Sequence, residues 1–482
     1  MARVHLDFPC RLRRTIRPPT LLSFGRRRYP HTRRPSTLFV FVQHQLVASV
    51  AVIFPNHFVY FDHLICSYFQ RIPDHLLYEM FLRLTTSEDL TRASAVCVSL
   101  RQICVDGSFL RRFRRLHGPP LLGFLDCNGF HPVLPPHSSA PAARALDLAA
   151  DFSFSFLPSP CHWIVQDMRA GRVLLDRDLG EEEFPAVFRE LVVCDPMCRR
   201  YVLLPPVPDD LTASLEQPVR MIRVRCKPFL VPLGEEETAA PETTFRAEEA
   251  AARETTFRVV LMAHCKTSLS AFVFSSSTGQ WQAAASNGWS DLVSSTGDRA
   301  AMSQVNPFFL RRHYAYGCFY WDWLTINSKK LLALDIRTME FSIAELPPGE
   351  WSKNGIAIVE AGEGRLGMFG FHGEIASSLS YTIAQNKGKS PSQWQVEKIV
   401  SQDSGYAYSI RAATERYLLL TKIEASSLEN RLLSLEKPLF EYFLMDVKTL
   451  QLQRVYKKQD YLAYDTYIYI NFPPSLLSSR TV

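Results

Sequence analysis

The chain has no CxxC pair, and its eleven cysteines are scattered over 482 residues. Cys194 and Cys198 stand four apart, but no second pair lies near them at zinc-finger spacing, so a structural zinc site is not expected. There is no N-x-[ST] sequon, and the cysteine count is odd. Both lean towards a reducing compartment in the cell interior. Walker A, GxSxG and HExxH motifs are absent, which removes the commonest signatures of nucleotide, acyl-transfer and zinc-protease chemistry. The thirteen histidines keep no catalytic spacing to acids. A GxGxxG does occur at Gly362, Gly364 and Gly367, but MFGFHGE follows it rather than a helix. A dinucleotide site needs that helix to present its N-terminus to the pyrophosphate, so the glycines read as a hairpin turn.

Acidic residues are nearly missing from the first sixty positions, which hold ten arginines and only Asp7. That segment carries +9, and since the whole chain carries +6, the remainder carries −3. No broad basic face is implied for the body, and nucleic acid is not an expected partner. An apolar run from Leu38 to Phe54 follows the arginines, broken by Gln43, His44 and Gln45. Seventeen residues with a polar break are marginal for a membrane span, and none is expected. An organelle transit peptide, a signal anchor and a leader of no function are the three readings of residues 1–70.

The rest is ordinary globular material, with 47% apolar and 21% charged residues, long enough for two or three domains. From Arg71 to His117 it reads as short helices. Pro73 suits a first helical turn. Leu76, Leu77, Met80, Phe81 and Leu84 then recur on one helical face. Thr86 with Asp89 has capping-box spacing and restarts a helix carrying Leu90, Ala93, Val96 and Cys97. Leu100, Ile103 and Cys104 form a third apolar set. After Gly107, Phe109, Leu110, Phe113 and Leu116 stand opposite Arg111, Arg112, Arg114 and Arg115. So short a helical unit is near the lower limit for an independent core and should want a partner.

Between Gly118 and Pro160 the chain is proline-rich and reads as a linker, with a short strand at Leu121–Leu125 and a helix near Arg144–Ala150. From Cys161 onward the pattern is β. The runs at 163–165, 172–175, 191–194 and 201–204 make one antiparallel meander closed by Pro205-Pro206. A hairpin then recurs: VVCDPMCRRY ends at Tyr201, FVFSSSTGQW at Trp281, LALDIRTMEF at Phe341 and FLMDVKTLQL at Leu452. Asp195, Ser275, Asp335 and Asp446 share one position, and Cys198, Thr278, Thr338 and Thr449 another. Such residues satisfy turn backbone groups locally. Tyr381–Trp394 is a longer-looped fifth copy. Repeats of this length, each of several strands, predict a β-propeller of about six blades, with five to seven allowed, closed by a last strand at Tyr464–Phe472. A duplicated Glu-Thr-Thr-Phe-Arg, at 242–246 and 254–258, marks a loop insertion over 234–256. The cluster His313, Tyr314, Tyr316, Tyr320, Trp321 and Trp323 reads as strand core in preference to a recognition surface.

On these residues the segment 71–117 resembles an F-box, the module that docks a substrate receptor on the Skp-family adaptor of a cullin ubiquitin ligase. The family's Leu-Pro entry is Ile72-Pro73 here. Its Val-Cys-x-x-Trp-Arg segment is Val96-Cys97-Val98-Ser99-Leu100-Arg101, in which Leu100 replaces the usual Trp. The region from 161 is similar to the kelch-like propellers of grass F-box proteins, whose blades carry GRVLL … VCDP … RRY … LPP as this one does. The resemblance implies a multidomain α+β protein: leader 1–70, F-box 71–117, linker 118–160, propeller 161–472 and tail 473–482. It implies a non-catalytic substrate receptor without cofactor or metal, cytoplasmic or nuclear, with organelle targeting by the leader as the alternative. Its partners would be the Skp-family adaptor, the cullin ligase through it, and an unidentified target protein. The adaptor is expected to be faced or framed by Ile72, Pro73, Leu76, Leu77, Phe81, Leu84, Leu90, Val96, Cys97 and Leu100. A propeller scaffold with a weakened F-box, and a propeller enzyme, are the competing readings.

Overall fold

The computed structural model describes residues 72–84, 90, 100, 102–103, 106, 109, 112–113, 116–117, 120–158, 162–178, 190–213, 215, 228–232, 256–265, 267–293, 309–323, 330–372, 378–387, 393–401, 403, 405–426, 439–459 and 466–470. The Arg-rich leader, the tail, the capping pair Thr86 and Asp89, and all of the 234–256 insertion except Thr256 lie outside these residues.

Five antiparallel sheets follow the chain in order, each with four strands among the described residues. Blade one holds β3 (Trp163–Arg169), β4 (Arg172–Arg177), β5 (Leu191–Asp195) and β6 (Arg200–Leu203). Blade two holds β7 (Pro228–Leu230), β8 (Arg258–His264), β9 (Ser268–Ser275) and β10 (Gln280–Gly288). Blade three holds β11 (Phe309–Ala315), β12 (Cys318–Trp323), β13 (Lys330–Asp335) and β14 (Glu340–Glu345). Blade four holds β15 (Trp351–Glu360), β16 (Leu366–His372), β17 (Ser378–Ala384) and β18 (Trp394–Ser401). Blade five holds β19 (Tyr406–Ala413), β20 (Tyr417–Glu424), β21 (Leu439–Asp446) and β22 (Leu452–Gln459). The sixth sheet joins the two ends of the ring: β1 (Leu121–Asp126) and β2 (Gly129–Pro132) pair with β23 (Tyr467–Ile470). The architecture is a six-bladed β-propeller.

The stretch 118–160, expected as a linker, is corrected by this sheet. It supplies β1, β2 and helix α2 (Ala140–Ala149), so the propeller begins at Leu121 rather than at residue 161. Its prolines bound these elements instead of preventing them. The expected last strand at Tyr464–Phe472 is present as β23, and the fifth hairpin copy as β17–β18. The first two glycines of the GxGxxG, Gly362 and Gly364, form the β15–β16 turn at φ +89° and +74°, and Gly367 lies within β16. His313, Tyr320 and Trp321 are buried strand residues, as the core reading expected.

Six apolar cores lie between successive blades, and that is where the folding free energy is gathered. Leu174 and Val193 meet Val259 and Leu261. Phe229 and Met262 meet Phe319 and Trp321. Tyr320 and Leu331 meet Ile358 and Met368. Phe369 and Leu379 meet Ile410 and Leu418. Leu121 and Phe124 meet Leu419 and Tyr442. Leu122, Leu125 and Tyr469 close the circle on Val173 and Val192. A strand in the middle of a blade is covered on both faces, so β5 is buried along its whole length and β16 as far as Phe371, and each reads as an apolar run up to its last residue. The outermost strands β6, β18 and β22 are mostly exposed.

The recurrent hairpin turns share one device. The Asp195 carboxylate accepts the amides of Met197 and Cys198 at 2.9 and 3.0 Å, Asp335 that of Arg337 at 2.9 Å, and Asp446 those of Lys448 and Thr449 at 3.0 and 2.9 Å. Four residues past the acid position the backbone turns left-handed: Arg199, Gly279, Met339 and Leu450 have φ between +52° and +69°. Arg199 is exposed, so Arg199→Gly relieves the Cβ penalty without losing packing. It should raise stability by about 0.5–1 kcal/mol in urea unfolding. Gly123, by contrast, is there for space: a Cβ would strike the His131 carbonyl and the Phe130 ring, the latter at 2.7 Å. Gly123→Ala should therefore lower stability by about 1–3 kcal/mol, read in the same titration.

Candidate functional site

Two places gather side chains into defined arrangements: the helical segment ahead of the ring, and the innermost strands of the propeller. Helix α1 (Asp74–Phe81) begins at Pro73, which caps it from an extended conformation and accepts the amides of Leu76 and Leu77 at 2.9 and 3.2 Å. Asp74 in the first turn complements the helix dipole. The amide of Phe109 is satisfied by the Asp106 carboxylate at 2.8 Å, which starts the last helical turn of the segment.

Leu77, Phe81, Leu82, Leu90, Leu100, Phe109 and Phe113 form one core, with Ile72, Tyr78, Leu84 and Ile103 packed against it. Tyr78 meets Phe109 edge to face at 5.0 Å, and Arg112 joins Glu79 at 2.8 Å. His117 closes the far end, with Nε2 2.6 Å from the carbonyl oxygen of Leu82 and its ring 4.3 Å from Phe113.

The ten residues expected at the adaptor therefore separate. Leu77, Phe81, Leu90 and Leu100 are internal and hold the segment together. Pro73 and Leu76 are exposed, with Leu76 at 48%, and Ile72 and Leu84 are half-buried against the core. Val96 and Cys97 lie outside the described residues. Leu100, at the position of the family's Trp, is 1% exposed. Helical periodicity finds the apolar face but not the division of that face between an internal core and an outward rim, because Phe109 and Phe113 decide it from some thirty residues away.

In the propeller, polar side chains tie the innermost strands across blades. The Asp167 carboxylate on β3 accepts the Leu230 amide of β7 at 2.8 Å and pairs with Arg312 of β11 at 2.5 Å. The Arg312 guanidinium lies 4.7 Å from the centre of the Phe229 ring. Arg169, at the end of β3, reaches Glu415 in the β19–β20 turn at 3.0 Å and stacks 4.8 Å from Tyr314 of β11. The Tyr316 amide donates to Glu360 at 2.8 Å, and the Gly362 amide to the Tyr316 hydroxyl at 2.9 Å. Arg172 donates to the Thr256 carbonyl at 2.9 Å, and burial pulls its guanidinium down to about 10 against the opposing charge of Asp195. Asp167 and Glu415 are each engaged by an arginine, an arrangement that fixes blades to one another. Among the described residues no group of three His, Cys, Asp or Glu side chains could hold a metal ion, and no helix is long and apolar enough to cross a membrane.

No family model matches the chain, and no curated protein matches it. Solved structures that resemble it include a nidogen/laminin complex, at 8% identity over 65% of this chain and 86% of the other, with TM-score 0.28. The β-propeller domain of the Trilobed protease from Pyrococcus furiosus shares 8% identity over 61% and 71%, with TM-score 0.31. An α-L-arabinanase from Penicillium chrysogenum shares 11% over 64% and 96%, with TM-score 0.28. Likenesses this distant carry no functional argument, and the propeller assignment rests on the strand pairing itself.

The helical segment yields a direct test. Phe81→Asp puts a carboxylate in the core and should destroy the segment, at a cost of several kcal/mol. Leu76→Asp should change stability by less than about 0.5 kcal/mol, as expected of a surface position. Limited proteolysis of the full chain reads the difference as rapid cleavage between residues 72 and 117 in the first variant only.

Proposed function

We propose that this chain is a substrate-recognition subunit of an SCF-type cullin ubiquitin ligase. In this reading the segment 71–117 is an F-box that docks on a Skp-family adaptor, and the propeller, of the kelch-like kind found in plant F-box proteins, binds the target protein. The observation that supports it is the pairing of an internally satisfied helical core with an exposed Pro73 and Leu76, next to the half-buried Ile72, on the segment that the family pattern nominates. A small helical unit with an apolar rim gains by covering it, and exposed apolar groups clustered at one edge are what an interface uses.

The receptor does no chemistry of its own. It holds a target near a ubiquitin-charged enzyme, and the gain is one of effective concentration and orientation. Neither nucleic acid nor membrane is a partner in this reading, and the protein works in the cytoplasm or nucleus. The burial of Leu100 bears on the scaffold alternative. Introducing Trp there would overpack a filled core instead of adding an outward anchor, so the departure from the family's Trp cannot be read as a missing surface contact.

The test is a pull-down of the full chain with a purified Skp-family adaptor, with Leu76→Asp as the variant, since it leaves the helical core intact. Retention of the adaptor by the parent chain, falling tenfold or more in Leu76→Asp at unchanged melting temperature, is the expected result. Failure of the parent chain to retain the adaptor would contradict the receptor reading and leave a propeller that acts as a scaffold.

A further inference from the structure

The outer edge of blade one combines an open strand with exposed apolar side chains. β6 is the last strand of its sheet, and no described residue pairs with its far side. Its ladder to β5 continues through Leu204, whose amide donates to the Leu191 carbonyl at 2.9 Å. Because ladder bonds alternate along an antiparallel strand, the amides and carbonyls of Tyr201 and Leu203 point to the open edge. The side chains of these two residues share one face of the sheet, and they stay 39% and 43% exposed, with Met197 in the adjoining turn at 41%.

A phenylalanine-rich loop, Phe152-Ser153-Phe154-Ser155-Phe156, stands beside that face. Phe156 lies 6.4 Å from Tyr201, ring to ring. The loop is braced from below. The Asp151 carboxylate accepts the Ser153 amide and hydroxyl at 3.0 and 2.6 Å and the Ser155 hydroxyl at 2.5 Å, and the Asp151 amide donates to the Pro196 carbonyl at 3.0 Å. Phe154 is held at φ +58°, which a non-glycine residue adopts only when its surroundings dictate it. Phe152 is anchored by stacking on Phe130 at 4.3 Å. Bracing of this kind removes the ordering cost that a loose aromatic loop would bring to an interface. Arg199 and Arg200, both exposed, stand at the end of β6 nearest the turn.

We infer that the open edge of β6, with Tyr201, Leu203, Met197 and Phe156, binds an extended peptide segment of the target as a fifth strand of blade one. The segment would carry apolar residues at alternate positions and an acidic residue beside Arg199 and Arg200. Backbone pairing on the edge supplies affinity, and the alternate side chains supply selectivity. The open strand edge selects an extended chain over a helix, and the two arginines select acid over base at its end. This inference rests on the reading of the propeller as the target-binding module, and it assigns the site and the chemistry of the target.

The probe is a displayed library of random twelve-residue peptides, selected on the purified full-length chain and counter-selected on Leu203→Pro. Proline at 203 removes an amide hydrogen that faces away from β5, so the sheet keeps its ladder while the edge loses a donor. Enriched sequences should alternate apolar and polar residues and carry acids at one end. Made synthetically with a fluorophore, they should bind tenfold or more weakly to Leu203→Pro and to Tyr201→Asp, and equally well to Val396→Asp on the edge of β18. Should Leu203→Pro melt more than a few degrees below the parent, Tyr201→Asp and Met197→Asp carry the comparison. Peptides that bind parent and edge variants alike, peptides enriched in basic residues, or the absence of any enrichment would overturn the inference. The measurement contains no adaptor, so a failure of adaptor docking leaves its outcome unchanged.

Discussion

The ring depends on the pairing of β1 with β23. Gly123, Phe124 and Leu125 stand opposite Tyr469, Ile468 and Tyr467, so the strand that opens the propeller is hydrogen-bonded to the one that ends it. A blade has no core of its own and buries its faces only against neighbours, so the row must close or leave two apolar faces in water. The tyrosines of β23 extend the closure to the next blade. Tyr467 donates to the Gln166 carbonyl at 2.8 Å and Tyr469 to that of Gly171 at 3.0 Å. The close approach of β2 at Gly123 and the stacking of Phe130 on Phe152 seal the same junction. Within the closing blade, His131 and Asp126 pair at 2.9 Å, and the His131 ring packs against those of Phe124 and Tyr456. Burial works to raise the Asp126 carboxyl, but the bond and charge of His131 and the Asn128 amide outweigh it and hold it below the ordinary range. A carboxyl depressed in the folded state stabilises above its unfolded value, and that contribution is lost as pH falls through the folded one. The contribution of Asp126 to the closure is thus lost in acid.

Recognition is left to the periphery by the same logic. The inner strands spend their polar groups on cross-blade ties such as Asp167 with Arg312 and Arg169 with Glu415. The middle strands are covered on both faces. What remains available is the outermost strand of each blade, where β6 and β18 expose both backbone and apolar side chains. The helical segment repeats the pattern on a smaller scale. Its large side chains turn inward around Phe109 and Phe113, and Leu76 and Pro73 remain at the rim.

The parts of this structure that are local were legible in the sequence. The turns at Asp195, Asp335 and Asp446 could be read because an acid that accepts the next amides is a contact within four residues. The strands of blade one could be read because two-sided burial leaves unbroken runs such as LVVC. The parts that failed are non-local. Proline density from 118 to 160 suggested a linker, since nothing nearby reveals that the partner of Leu121 is Ile470. Residues 200–203 look like any core strand, and only the sheet order makes β6 an edge. Leu77 and Leu76 are adjacent members of one periodic face, yet one is internal and the other outward, a division set by helices further along the chain.

In the proposed receptor an adaptor-docking helical segment is joined to a closed, target-binding ring. Hydrogen exchange of the full chain, followed by mass spectrometry with and without a purified Skp-family adaptor, tests this arrangement most directly. The adaptor should slow exchange within residues 72–84 and leave the propeller strands unchanged, and β1 and β23 should exchange together and only with global opening. Unchanged exchange over 72–84, or adaptor-induced protection confined to the propeller, would contradict it.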